Sequence, residues 1–168
     1  MSAGASRADA GHAFSAPDGI EILPFALHGL RHLSFVEGRI PPRPEPYPIH
    51  LHGAMEQITY VLAGTITVTA WDAEQGTATP FDATNGDAFV TLPLQTLAFA
   101  NAGPDVARVL FICAPAYPPD DGDTRLAETH HAPTDADVAW SRERQRAAID
   151  AFAAIVRARI GEPETAGR

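Results

Sequence analysis

Between residues 19 and 113 apolar and polar side chains alternate in short runs, broken by Gly, Pro, Asn and Asp. Successive side chains on a strand point to opposite faces, so this alternation predicts half-buried β-strands. The runs fall at 20–23, 30–40, 57–63, 65–71, 88–92, 96–101 and 106–113. In one of them Thr65, Thr67 and Thr69 alternate with Ile66, Val68 and Ala70, giving one polar and one apolar face. Many short strands at such spacing predict an all-β sandwich or barrel, of which the double-sheet jelly roll is one form.

The stretch Pro41-Pro42-Arg43-Pro44-Glu45-Pro46-Tyr47-Pro48 fits neither a helix nor a central strand, because each Pro removes a donor and constrains its predecessor. It is expected as an extended rim loop leading into His50, with Tyr47 and Arg43 placed to meet a substrate. Beyond Cys113 a turn-rich segment gives way to helical spacing: Val138, Ile149, Phe152, Ile155, Val156 and Ile160 recur, with Thr134 or Asp135 as the cap and Gly161 and Pro163 as the stop. The resulting organisation is a mobile tail over 1–17, a barrel over 18–118 and an extension over 119–168 with a helix at about 135–160. The apolar stripe of that helix must cover the barrel or a partner subunit, and a homodimer is expected.

Candidate chemistry begins at His50-Leu51-His52. Strand parity puts both imidazoles on one face and Leu51 on the other, so two ring nitrogens can converge on one ion. A polar residue lies five positions after His52, then an alternating run ends at Gly64, and Gly86-Asp87 opens a later strand. This order resembles the two-part motif of the cupins, which implies a double-stranded β-helix, a jelly-roll barrel, with a metal inside it. Pro44 replaces the first motif glycine and Gly64 matches the last. The six-residue gap to Gly64 makes Gln57 the aligned third ligand, and parity agrees, since Gln57, Thr59 and Val61 share a face. Glu56 falls on the opposite face and is the second choice.

The second half of the motif departs from the family. Gly86 and Asn101 match, but the Pro-x-Gly turn reads Leu92-Pro93-Leu94, and the position of the family's remaining His is Leu97. The resemblance therefore implies a divalent transition metal (zinc, iron, nickel or manganese) held by His50, His52 and Gln57 with water, or a shell completed from elsewhere, or a lapsed site. Thr59, Leu97, Phe99 and Asn101 are expected to line the substrate pocket along with Tyr47. If the face bearing His32, Ser34 and Val36 turns inward, His32 is a spare ligand or proton shuttle. His12, His28, His130 and His131 fall in turn-like or tail segments. Cys113, at the end of a buried run, is expected as a small core residue.

Composition narrows the function. With 168 residues and 45% hydrophobic content the chain suits one core. A net charge of −9 argues against nucleic acid or an anionic membrane as partner, leaving a small molecule. Every basic residue counted as Lys or Arg is an Arg, so no lysine Schiff base can form. A single cysteine allows no internal disulfide, and residues 1–17 lack a basic start and an apolar signal-peptide core, so a cytoplasmic location is expected. Phosphate loops, nucleophile elbows and paired-cysteine zinc patterns find no match. Three activities stay open: a metal-dependent cyclase, isomerase or lyase working by Lewis-acid proton transfer, a non-heme iron dioxygenase, and a non-catalytic binding module.

Overall fold

The computed structural model describes residues 6–25, 27, 30, 32–118 and 122–160. Eleven strands occur in these residues: β1 Phe14–Ser15, β2 Glu21–Pro24, β3 Ser34–Ile40, β4 His50–His52, β5 Glu56–Ala63, β6 Thr65–Asp72, β7 Thr77–Thr84, β8 Ala88–Thr91, β9 Leu97–Ala100, β10 Ala107–Ala114 and β11 Thr124–Leu126. A 3₁₀ turn at Ala10–His12 precedes them and helix α1, Asp135–Ile160, follows. Six strands form one sheet in the order β1-β2-β3-β10-β5-β8, and five form the other in the order β11-β4-β9-β6-β7. All the pairings are antiparallel, and the two sheets face each other as a jelly roll.

The inward positions of both sheets make the core. Val61 of β5, Ile66 and Val68 of β6, Leu97 and Phe99 of β9, and Val109 and Phe111 of β10 are buried, while Glu56, Ile58 and Tyr60 of β5 face outward. Burying each large apolar side chain contributes about 1.5–3 kcal/mol. Gly38 of β3 pairs with Val109, and a Cβ there would overlap the Phe111 ring. Glycine thus makes room for an aromatic wall of the cavity described below. Gly64 joins β5 to β6 at a φ of 84°, a left-handed conformation for which glycine carries no steric penalty.

The structure corrects several expectations. The strand expected from residue 30 begins at Ser34, so the described part of 30–33 lies ahead of β3. The stretch expected as a mobile tail is joined to the barrel: Ala8 bridges Phe25, and β1 pairs with β2. Strand β7 was not expected. It is an edge strand with mostly exposed side chains, which is why it tolerates Pro80 and shows no apolar alternation.

Helix α1 starts with a capping box. The Asp137 amide donates to Thr134 Oγ1 at 3.2 Å, and the Thr134 amide donates to the Asp137 carboxylate at 3.0 Å. That carboxylate also pairs with Arg125 at 3.1 Å, and the Arg125 guanidinium lies 4.3 Å from the Trp140 ring centre. The first turns of α1 are thereby tied to β11, a strand that is itself paired with β4.

Candidate functional site

A cavity of about 60 Å³ opens between the sheets, room for a few waters or a comparably small fragment. Phe14, Ile20, Ile22, Val36, Phe99 and Phe111 form its apolar walls. His50, His52, Gln57, Asp18, Ser34, Cys113, Tyr117 and Thr124 supply its polar groups. His50 and His52 are both buried, with ring centres 5.2 Å apart. Gln57 is buried beside them, whereas Glu56 is exposed on the outer face of β5. The chain therefore brings together two imidazoles and one amide, and holds the neighbouring carboxylate apart.

The hydrogen bonds of the two rings decide where their lone pairs point. His50 Nδ1 lies 3.4 Å from the Pro48 carbonyl oxygen and 3.5 Å from Asp18 Oδ2. A nitrogen facing two acceptors carries the proton, which leaves Nε2 as the lone-pair end of His50. His52 Nδ1 lies 3.2 Å from Thr124 Oγ1, and the Thr124 hydroxyl is 3.0 Å from the Tyr117 hydroxyl. His52 Nε2 is buried and has no hydrogen-bond partner. Burial, and then the neighbouring His50, push the His52 pKa down to about 3, so the ring is neutral at any ordinary pH.

Gln57 is oriented in the same manner. Its Nε2 donates to Thr59 Oγ1 at 3.4 Å, and its Oε1 accepts from the Cys113 thiol at 3.4 Å. Burial pushes the Cys113 pKa up to about 12, so the thiol keeps its proton and acts as a donor rather than a nucleophile.

The loop after His52 is clamped by the C-terminal extension. The Asp123 carboxylate accepts the Ala54 amide at 2.9 Å and the Met55 amide at 3.1 Å, and the Asp123 carbonyl accepts the Gly53 amide at 3.0 Å. Burial raises the Asp123 pKa, partly opposed by these amides and by Arg144. Ser141 of α1 donates to the Gly53 carbonyl, and Arg144 donates to the Gly122 carbonyl at 2.8 Å. Asp18, Asp123, Thr124 and Tyr117 were not among the candidates read from the sequence. They lie far along the chain from the residues they serve, and no local spacing marks them.

Other candidates take different places. His32 does not reach the cavity: it lies before β3, exposed, with its ring edge-on to Phe152 of α1 at 4.0 Å. Inward parity holds for Ser34 and Val36, which line the cavity, but it cannot be extended to a residue outside the strand. Phe99 is a cavity wall. Thr59 stands behind Gln57, and Leu97 is fully buried in the core as the register partner of His50, neither one lining the cavity. Asn101 braces a turn, donating to the carbonyls of Ile40 and Asp105 at 2.7 and 2.9 Å. The Tyr47 hydroxyl donates to the Pro41 carbonyl at 3.0 Å and so ties the proline-rich loop to itself, with Arg43 over the ring rather than a substrate. His28 lies outside the described residues.

The donor set is compatible with a cation. The His52 imidazole offers a buried, unpartnered Nε2, and the His50 ring and an amide oxygen stand beside it. Among the described residues, no three His, Cys, Asp or Glu side chains gather closely enough to hold a metal ion.

No protein-family profile and no curated protein sequence matches the chain. Solved structures do. Streptomyces PAC13, in a structure with uridine, is 15% identical over 79% of this chain and 95% of that chain, with a TM-score of 0.54. CapF with the inhibitor 3-isopropenyl-tropolone is 11% identical, covering 76% of this chain and 36% of that one, with a TM-score of 0.55. The Drosophila melanogaster CENP-C cupin domain is 15% identical over 65% of this chain and 75% of that chain, with a TM-score of 0.51. At these identities the likeness is one of fold: this chain is a cupin in architecture, a double-stranded β-helix with a C-terminal helix. Among the described residues no helix is long and apolar enough to cross a membrane.

Proposed function

We propose that this chain is a metal-dependent enzyme that binds a small organic molecule at the cavity and catalyses proton transfer on it, as a cyclase, isomerase or lyase does. The observation that carries the reading is His52 Nε2, a buried lone pair with no partner beside a second imidazole. An orphaned buried acceptor costs about 1–3 kcal/mol, and a cation or a ligand donor at this point removes that cost. His50, His52 and Gln57 would hold the ion. When bound, a divalent metal polarises a carbonyl or enolate oxygen without requiring a charged side chain.

The rest falls to the protein. The aromatic walls Phe99 and Phe111 exclude water from the polar end, where Coulombic effects strengthen. The chain from Tyr117 through Thr124 to His52 Nδ1 orients the second imidazole. A cavity this small admits one functional group of a substrate, with the remainder lying outside it.

Elemental analysis of the purified protein, followed by titration with zinc, nickel and iron, tests the reading. The expected result is a bound divalent transition metal that His50→Ala or His52→Ala removes, that Gln57→Leu weakens and that Glu56→Gln leaves in place. A protein that carries no metal and takes up none of the three overturns it and leaves a binding module. Substrate-dependent oxygen uptake by the iron form would replace proton transfer with dioxygenase chemistry. The exposed Ile149, Phe152 and Val156 on α1 support the homodimer, for which sedimentation should give twice the chain mass.

A further inference from the structure

A cation among His50, His52 and Gln57 would meet only neutral donors, because the neighbouring Glu56 faces outward. Among the described residues that line the cavity, one carries a carboxylate, and that is Asp18. It sits in the turn between β1 and β2, where the Ala16 amide donates to the Ile20 carbonyl at 2.8 Å and the Gly19 amide to the Ala16 carbonyl at 2.8 Å. An aspartate in such a turn ordinarily points to water. Asp18 is 5% exposed: its Oδ1 accepts the Ile20 amide at 3.2 Å, and its Oδ2 lies 3.5 Å from His50 Nδ1.

Resting on the metal reading above, we infer that Asp18 is the positioning carboxylate of the site. It acts through His50 and returns to the cavity the negative charge that an amide at position 57 cannot supply. Two effects follow from its place. With the Pro48 carbonyl it keeps the proton of His50 on Nδ1, so that Nε2 meets the ion as a lone pair. A carboxylate behind a ligating imidazole also raises the basicity of that ligand, and mutation of such outer partners weakens metal binding. The attraction between carboxylate and cation acts inside a buried site, where solvent screens it less than at the surface. A segment whose composition suggested a loose tail thus forms one wall of the site and carries its charge.

Zinc affinity, measured at one pH by competition with a chromophoric chelator, tests this in the full chain. Asp18→Asn keeps the shape and an acceptor for the Ile20 amide while removing the charge. It should weaken zinc binding about 10-fold, and Asp18→Ala up to about 100-fold. Moving the charge onto the ligand in the double variant Asp18→Asn with Gln57→Glu should return the affinity to within a few-fold of the unaltered protein. Gln57→Glu alone is the control: a purely structural role for Asp18 gives the same gain from Gln57→Glu whether residue 18 is Asp or Asn, whereas a relocated charge gives the larger gain in the Asp18→Asn background. Unchanged affinity in both single variants, with folding checked by circular dichroism, overturns the inference, and so does a double variant as weak as Asp18→Asn alone. If the unaltered protein binds no zinc, nickel or iron, the metal reading itself falls. If it binds and His50→Ala abolishes binding while the Asp18 variants do not weaken it, only the role of Asp18 falls.

Discussion

The β4–β5 half and the β8–β9 half of the barrel bring corresponding segments to the same cavity, yet they are held in opposite ways. The first half presents His50, His52 and Gln57, and every one of these is braced by a remote group: Asp18, Thr124 or Cys113, with Asp123 clamping the loop that follows His52. The second half presents Phe99, with Leu97 buried in the core rather than at the cavity, and both need only packing. The difference follows from the cost of burial. A buried polar side chain must be satisfied and aimed, whereas a buried apolar one needs only to fit. The chemistry on one side of the cavity therefore draws on both ends of the chain, and the N-terminal hairpin and the C-terminal extension belong to the site as much as the barrel does.

The severest test of this asymmetry is removal of the clamp. In Asp123→Ala the amides of Ala54 and Met55 lose their acceptor, and Met55 is buried. At about 1–3 kcal/mol for each unsatisfied buried group, the loss should be about 3 kcal/mol in urea unfolding, and zinc affinity should fall with it because the loop after His52 is released. Asp123→Asn keeps one acceptor oxygen and should lose about half as much. A loss below about 1 kcal/mol in the alanine variant would mean that the β4–β5 half stands without its brace.

A milder test makes the two halves alike. Leu97 is the register partner of His50 across β4 and β9, so the side chains stand on the same face. In Leu97→His a third imidazole stands beside the first two. Without metal the variant should be less stable by about 2 kcal/mol, since a core leucine is replaced by a buried polar ring. With zinc it should recover and bind more tightly than the unaltered protein. Destabilisation with no gain in zinc affinity would show that position 97 cannot reach the ion.

What could be read from the chain divides along the same line. His50, His52 and Gln57 were legible because strand parity is local: a period of two over a few residues says which side chains share a face. Alternation likewise located β5, β6, β9 and β10 to within a residue or two. It failed for β7, an edge strand exposed at most positions and polar at the inward-facing Thr77 and Thr79, and for β1 and β11, too short to show a period. His32 was misplaced by carrying parity past the start of β3. Asp123 and Thr124 were invisible because their partners lie 68 to 72 residues away, a separation that composition and spacing do not encode. Asn101 and Tyr47 were legible as special positions, but their roles are to brace loops, and only the direction of their hydrogen bonds reveals that.

The smallest expected effect lies in the turn of the second half. Leu94 occupies the register of the motif glycine and has a φ of 64°, a left-handed conformation that costs a side-chain-bearing residue about 1–2 kcal/mol. The turn is held there because the Leu94 amide donates to the His52 carbonyl at 2.8 Å, linking the apolar half to the polar one. Leu94 is half-buried, so replacing it by glycine removes some packing as well as the strain. Comparing Leu94→Gly with Leu94→Ala separates the two, because both lose the packing and only glycine relieves the backbone. The glycine variant should be the more stable by about 1 kcal/mol in thermal unfolding, with zinc affinity equal in the two. Equal stability would mean that the chain between Leu92 and Gln95 relaxes to another conformation once the leucine is gone. In that case the hydrogen bond to His52 would weaken in both variants, and amide exchange at residue 94 would be faster than in the unaltered protein.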